Sequence, residues 1–133
     1  MIGLDTSVVV RLLIGEPSEL AEVAIGFLDE VFISGDKVVV SDVVVGEVYF
    51  ALQHHYGVPK AEALLALKEF FASAEVVSSG EAAKILNETE NLASAKPGFV
   101  DRLIHADYVA NYDSMVTFER KAARLPEVKV LKG

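Results

Sequence analysis

Asp5, Glu47, Asp101 and Glu119 are four acids that break otherwise apolar or strand-ending stretches. Asp5 ends the short apolar run Ile2-Gly3-Leu4 and is followed by Thr6 and Ser7, which have the small hydroxyls of helix starts. Glu47 is the only charge between Val43 and Leu52, and its helical neighbours are Val43, Val44, Phe50 and Ala51. Asp101 follows Pro97-Gly98, in what reads as the first turn of a helix. Glu119 follows the run Met115-Val116-Thr117-Phe118. Four carboxylates brought into one small volume cannot all ionise without a cation. Oxygen-only donors select Mg²⁺ or Mn²⁺, and a centre of that kind suits hydrolysis of phosphodiesters.

Each acid also has a plainer reading. Asp5 suits a helix cap, Glu47 the solvent edge of an apolar helix, and Asp101 and Glu119 the favourable dipole of a helix first turn. His105 lies four residues after Asp101, at a spacing that allows a shared cation or a local salt link.

The elements that must position these acids alternate. The run before Asp5 reads as a first strand and Thr6 onward as a first helix, with side-chain oxygens of Thr6 and Ser7 as its caps. Ser18 caps a second helix to about Val31. Val38-Val39-Val40 is a buried strand, and Ser41-Asp42 opens a third helix ending near Tyr56-Gly57. Pro59 opens a fourth helix, Glu75–Val77 is a third strand, and a fifth helix spans roughly Glu81 to Leu92. A sixth helix runs from Phe99 to Asn111. Ser114–Thr117 is a strand, Glu119–Arg124 a short helix, and Val128–Leu131 the last strand. Strands alternating with helices predict an α/β fold with a parallel sheet covered on both sides.

The chain has 133 residues, enough for one domain with a real core, and residues 1–133 show no linker or repeat. Without cysteine it has no disulfide, thiolate nucleophile or cysteine zinc site. A net charge of −8 argues against broad nucleic-acid binding but not against a carboxylate nuclease. The apolar stretches are too short and broken to span a bilayer, and no basic prelude precedes Asp5, so a cytoplasmic protein is expected. Hydrophobic content of 52%, with Tyr49, Phe50, Phe70 and Phe71 on the third and fourth helices, predicts a symmetric homodimer.

The sequence resembles the PIN domain, the fold of VapC-type toxin ribonucleases. The matching stretches are Asp5-Thr6-Ser7, Val45-Gly46-Glu47-Val48, Asp101-Arg102-Leu103-Ile104 and Val116-Thr117-Phe118-Glu119, in order, from Ile2 to Leu131. The resemblance implies a three-layer fold with a parallel five-stranded sheet of order 3-2-1-4-5. It implies a metal-dependent ribonuclease preferring single strands, with Asp5, Glu47 and Asp101 as its acidic core. It also implies a homodimer and a small antitoxin lying across the acidic groove. Thr6 and Ser7 stand beside the first acid, and Thr117 matches a hydroxyl that bonds site carboxylates. The family usually has Asp where this chain has Glu119, which puts a second metal in question. Arg11, Arg102, Arg120 and Lys121, with Lys96 and Arg124, fall near the motifs and are candidate phosphate contacts.

Two other α/β readings fail on residues. A haloacid-dehalogenase-like phosphatase needs a second Asp where Ser7 stands. A phospho-receiver needs an Asp at the end of the third strand, where Ser78 and Ser79 follow Val77. A catalytically silent PIN scaffold that binds RNA or a protein partner remains the alternative.

Overall fold

Valine makes the centre of the sheet. Three consecutive β-branched residues form β2 (Val38–Val40), with Val38 and Val40 fully buried. On one side β2 pairs in parallel with β1 (Ile2–Gly3), and on the other with β3 (Val76–Ser78). The computed structural model describes every residue from Met1 to Gly133.

Six α-helices connect and cover the strands: α1 (Thr6–Ile14), α2 (Ser18–Ile33), α3 (Asp42–His54), α4 (Lys60–Phe70), α5 (Ala82–Glu88) and α6 (Phe99–Asn111). A second, separate pair of parallel strands follows, β4 (Met115–Thr117) and β5 (Val128–Val130), joined through a 3-10 helix at Arg120–Arg124. The α/β class and the parallel strands agree with the reading of the sequence.

The five-stranded sheet does not. Strands β1, β2 and β3 form one sheet and β4 and β5 another. Within each sheet the neighbours are those expected, but no ladder joins β1 to β4. β1 is two residues long, one of them glycine, and both are exposed. The ladder bonds Ile2 N–H to Lys37 O and Leu4 N–H to Val39 O run toward β2. A two-residue strand without a packed side chain on its outer edge has little to hold a further strand.

Helix ends follow local chemistry. α1 stops at Gly15, whose φ of 74° suits a residue without Cβ and lets its N–H close on Arg11 O. The hydroxyl of Ser41 accepts the N–H of Val44 at 3.3 Å, as expected of the α3 cap. Ser18 is the first residue of α2 rather than its cap; Pro17 precedes it with no side-chain bond. The fifth helix is shorter than expected. It ends at Glu88, and Asn91 in the left-handed region (φ 52°) leads into a 3-10 turn at Leu92–Ser94.

The core is one cluster of 20 buried hydrophobic residues between Leu4 and Leu103. Val9 of α1 and Val48 and Leu52 of α3 lie at its centre, and the rings of Tyr49 and Phe99 meet edge to face at 5.1 Å. Tyr49 and Phe71 therefore belong to the interior and Phe70 is half-buried. Of the four aromatics assigned to a self-contact, Phe50 alone stays exposed.

Candidate functional site

The turn after each strand of the first sheet carries a polar residue into the next helix. After β1 that residue is Asp5, the N-cap of α1, whose Oδ1 accepts the N–H of Thr6 at 2.7 Å. The cap is thus the acid itself and not the hydroxyls of Thr6 and Ser7. Thr6 Oγ1 is buried and without a partner. Asp5 lines a concavity of about 570 Å³ formed by β1, α1 and α2, with Arg11, Leu20 and Val23 among its walls.

Glu47 lies elsewhere. It is exposed on α3, and Val43 and Phe50 beside it are exposed too, so the apolar face around Glu47 is itself a surface. It lines a groove of about 540 Å³ between α3, α6 and the loop Ser79-Gly80, together with Asp42, Ile104 and Asp107. Asp101 sits in the first turn of α6, exposed, as expected. Its neighbours Val100 and Ile104 line the Glu47 groove, but Asp101 does not.

His105 does not join Asp101. It is buried, and its Nε2 lies 2.6 Å from the carbonyl oxygen of Pro126. A carbonyl only accepts, so Nε2 carries the proton. Glu119 caps the Arg120–Arg124 helix, its Oε1 accepting the N–H of Lys121 at 3.2 Å. The hydroxyl of Thr117 accepts the backbone N–H of Glu119 at 3.0 Å, so its bond is to an amide and not to a carboxylate.

The candidate phosphate contacts divide. Arg11 donates to the Tyr56 hydroxyl at 3.3 Å, and Arg102 donates through Nε to the Pro97 carbonyl at 2.8 Å. The exposed side chains of Arg120 and Lys121 carry no such tie.

The sequence marks Asp42 only as a helix-start acid, and in the fold it does more. Its two carboxylate oxygens accept the N–H groups of Glu81 and Ala82 at 3.0 and 3.1 Å, which fastens the start of α5 to the start of α3. A Cβ on Gly80 would collide with that carboxylate, so glycine is required there by close approach. Nothing in the local sequence links two residues so far apart.

The resolved shifts in proton affinity lie away from the candidate acids. Burial pushes the Tyr49 phenol up, and the Ser73 hydroxyl, donating at 2.7 Å, holds Glu75 below the usual carboxylate range.

The donor types are right for Mg²⁺ or Mn²⁺, but no group of three or more His, Asp or Glu side chains stands close enough to share a cation. Asp5 and Glu47 open onto different concavities. As arranged here, the four acids do not fit a metal, and the crowding that called for a cation is absent.

Six helices over parallel strands, with exposed acids at the starts of α1 and α6 and a further one inside α3, define an α/β domain with polar residues after its strands. A family model described as the PIN domain matches residues 2–128, and the chain belongs to that family. PIN domains are in general nucleases and usually use divalent metals. Neither curated proteins nor solved structures gave a match. No helix is long and apolar enough to cross a membrane.

Proposed function

We propose that this chain is a ribonuclease of the VapC toxin type, acting in the cytoplasm and hydrolysing RNA phosphodiester bonds with Mg²⁺ or Mn²⁺. Asp5, Glu47 and Asp101 are its central acids and Glu119 an outer one. The observation that carries the reading is that all four are exposed and none is in an ion pair, in a chain that matches the PIN model almost throughout. Carboxylates kept at the surface without cationic partners are available to a ligand that brings the charge. The metal requirement rests on the family and not on the present spacing of the acids. The exposed Leu20 and Val23 on α2 and Val43 and Phe50 on α3 support a homodimer and a small antitoxin as partners.

Asp5→Asn is the informative variant, because Asn caps a helix as well as Asp does and α1 stays capped. Wild type should cleave single-stranded RNA in Mn²⁺ and melt at a higher temperature with it, since a ligand of the native state stabilises that state. The variant should fold normally, cleave at background and lose the Mn²⁺-dependent rise. Undiminished cleavage by Asp5→Asn would reduce Asp5 to a cap. The separation of the acids favours the silent-scaffold reading as the second choice: RNA or a protein partner would then bind with no cleavage by wild type.

A further inference from the structure

The charge of this molecule is unevenly divided. Residues 115–133 hold five of the twelve basic residues and two of the twenty acids, in a chain whose net charge is −8. The cations are therefore concentrated on the β4–β5 unit. That unit also bears the most exposed phenylalanine of the chain, Phe118, at 68%. Phe118, Arg120, Val130, Leu131, Lys132 and Gly133 line a concavity of about 730 Å³ that has no Asp or Glu side chain in its walls. The nearest acid in the chain, Glu119, is turned into its own cap on Lys121 N–H. Neither Arg120 nor Lys132 is in an ion pair. The groove beside Glu47 is the opposite, with three acids and no base in its walls.

We propose that this concavity is the docking site for single-stranded RNA, with a base stacked on the ring of Phe118 and flanking phosphates against Arg120 and Lys132. The inference rests on the ribonuclease reading and names where its substrate is held. An exposed aromatic ring sharing a concavity with unpaired cations matches an unstacked base with its phosphates, because every base has a stacking face and every linkage a negative charge. An acidic protein segment would match the cations but would leave the ring without a flat partner. Phe118 immediately precedes Glu119 in the chain, so the concavity adjoins the segment that carries one of the proposed acids.

The chain has no tryptophan, so Phe118→Trp places a single fluorescent reporter in the site. A short oligouridylate is titrated in chelator, where metal-dependent cleavage is off, and inorganic polyphosphate serves as a probe without bases. The oligonucleotide should quench the indole fluorescence of the Phe118→Trp protein. Phe118→Ala should weaken oligonucleotide binding by roughly 5- to 150-fold, while leaving polyphosphate binding unchanged. The double change Arg120→Ala, Lys132→Ala should lower the slope of log affinity against log salt by about 1.4. The proposal is overturned if wild type does not bind the oligonucleotide at low salt, if Phe118→Ala binds it as wild type does, or if poly-glutamate competes as well as RNA. The two readings separate cleanly. Phe118-dependent binding without cleavage in Mn²⁺ overturns the nuclease and keeps the dock. Cleavage with a KM indifferent to Phe118→Ala overturns the dock alone.

Discussion

Between Leu4 and Leu103 the chain buries a continuous cluster of 20 hydrophobic residues, whereas beyond His105 it buries Ala122 alone. The first region is held by apolar packing around β2 and α3. The β4–β5 unit has its own short ladder and is tied to the rest by polar contacts: His105 Nε2 to Pro126 O at 2.6 Å, and Arg124 to Lys96 O at 3.3 Å. Packing inside the core is cooperative, while a hydrogen bond nets only about 0.5–1.5 kcal/mol. The two regions should therefore differ in stability, and local opening at the C-terminal unit should precede global unfolding. The basic surface lies on the loosely tied unit and the acidic groove on the packed one.

Truncating an apolar side chain in each region should separate the two most strongly. Leu52→Ala removes a side chain 1% exposed at the centre of the core and should cost about 2–5 kcal/mol in urea denaturation. Val116→Ala on β4, 55% exposed, should stay within about 0.5 kcal/mol. Equal losses would mean that both regions share one core. A smaller effect is expected from His105→Ala, which removes the donor to Pro126. Hydrogen exchange at the β4–β5 amides should accelerate several-fold, matching the loss of about 1 kcal/mol of local protection, while the β2 amides keep theirs. Uniform acceleration would place His105 in the global core instead.

The smallest effect tests the packed region by pH. Burial raises the proton affinity of Tyr49, so the native state keeps a proton that the unfolded chain loses near pH ~10. Its contribution is full below that pH and is lost as pH rises through the higher folded value. Denaturation midpoints of wild type should fall from about pH 8 to about pH 11 more steeply than those of Tyr49→Phe. Parallel curves would show that the phenol is as well solvated in the folded state as in the unfolded one.

Most elements are legible because their signals are local. The triple valine of β2, the Ser41 cap and the Pro97-Gly98 break before α6 lie within a few residues of what they specify, and α6 runs over the expected Phe99–Asn111. The fifth helix ends at Glu88, where Thr89 is already extended, and Leu92 belongs to a separate 3-10 turn entered through left-handed Asn91, a backbone conformation that composition does not announce. The five-stranded sheet and the convergence of the acids are not legible from residues at all. Both depend on distances between elements, and the alternation of strands and helices is the same whether β4 lies against β1 or apart from it. The family match covers Asp5, Glu47 and Asp101 in their order, but order along a chain leaves open which concavity each side chain faces.

The contact between Asp42 and Gly80 constrains how this protein can change over generations. Any residue other than glycine at position 80 meets the carboxylate of Asp42, and any shorter residue at position 42 releases the amides of Glu81 and Ala82. Neither position can drift alone without loosening α5. Among descendants of this sequence the two sites should therefore be inherited as a pair, or be replaced together by a different way of capping that helix.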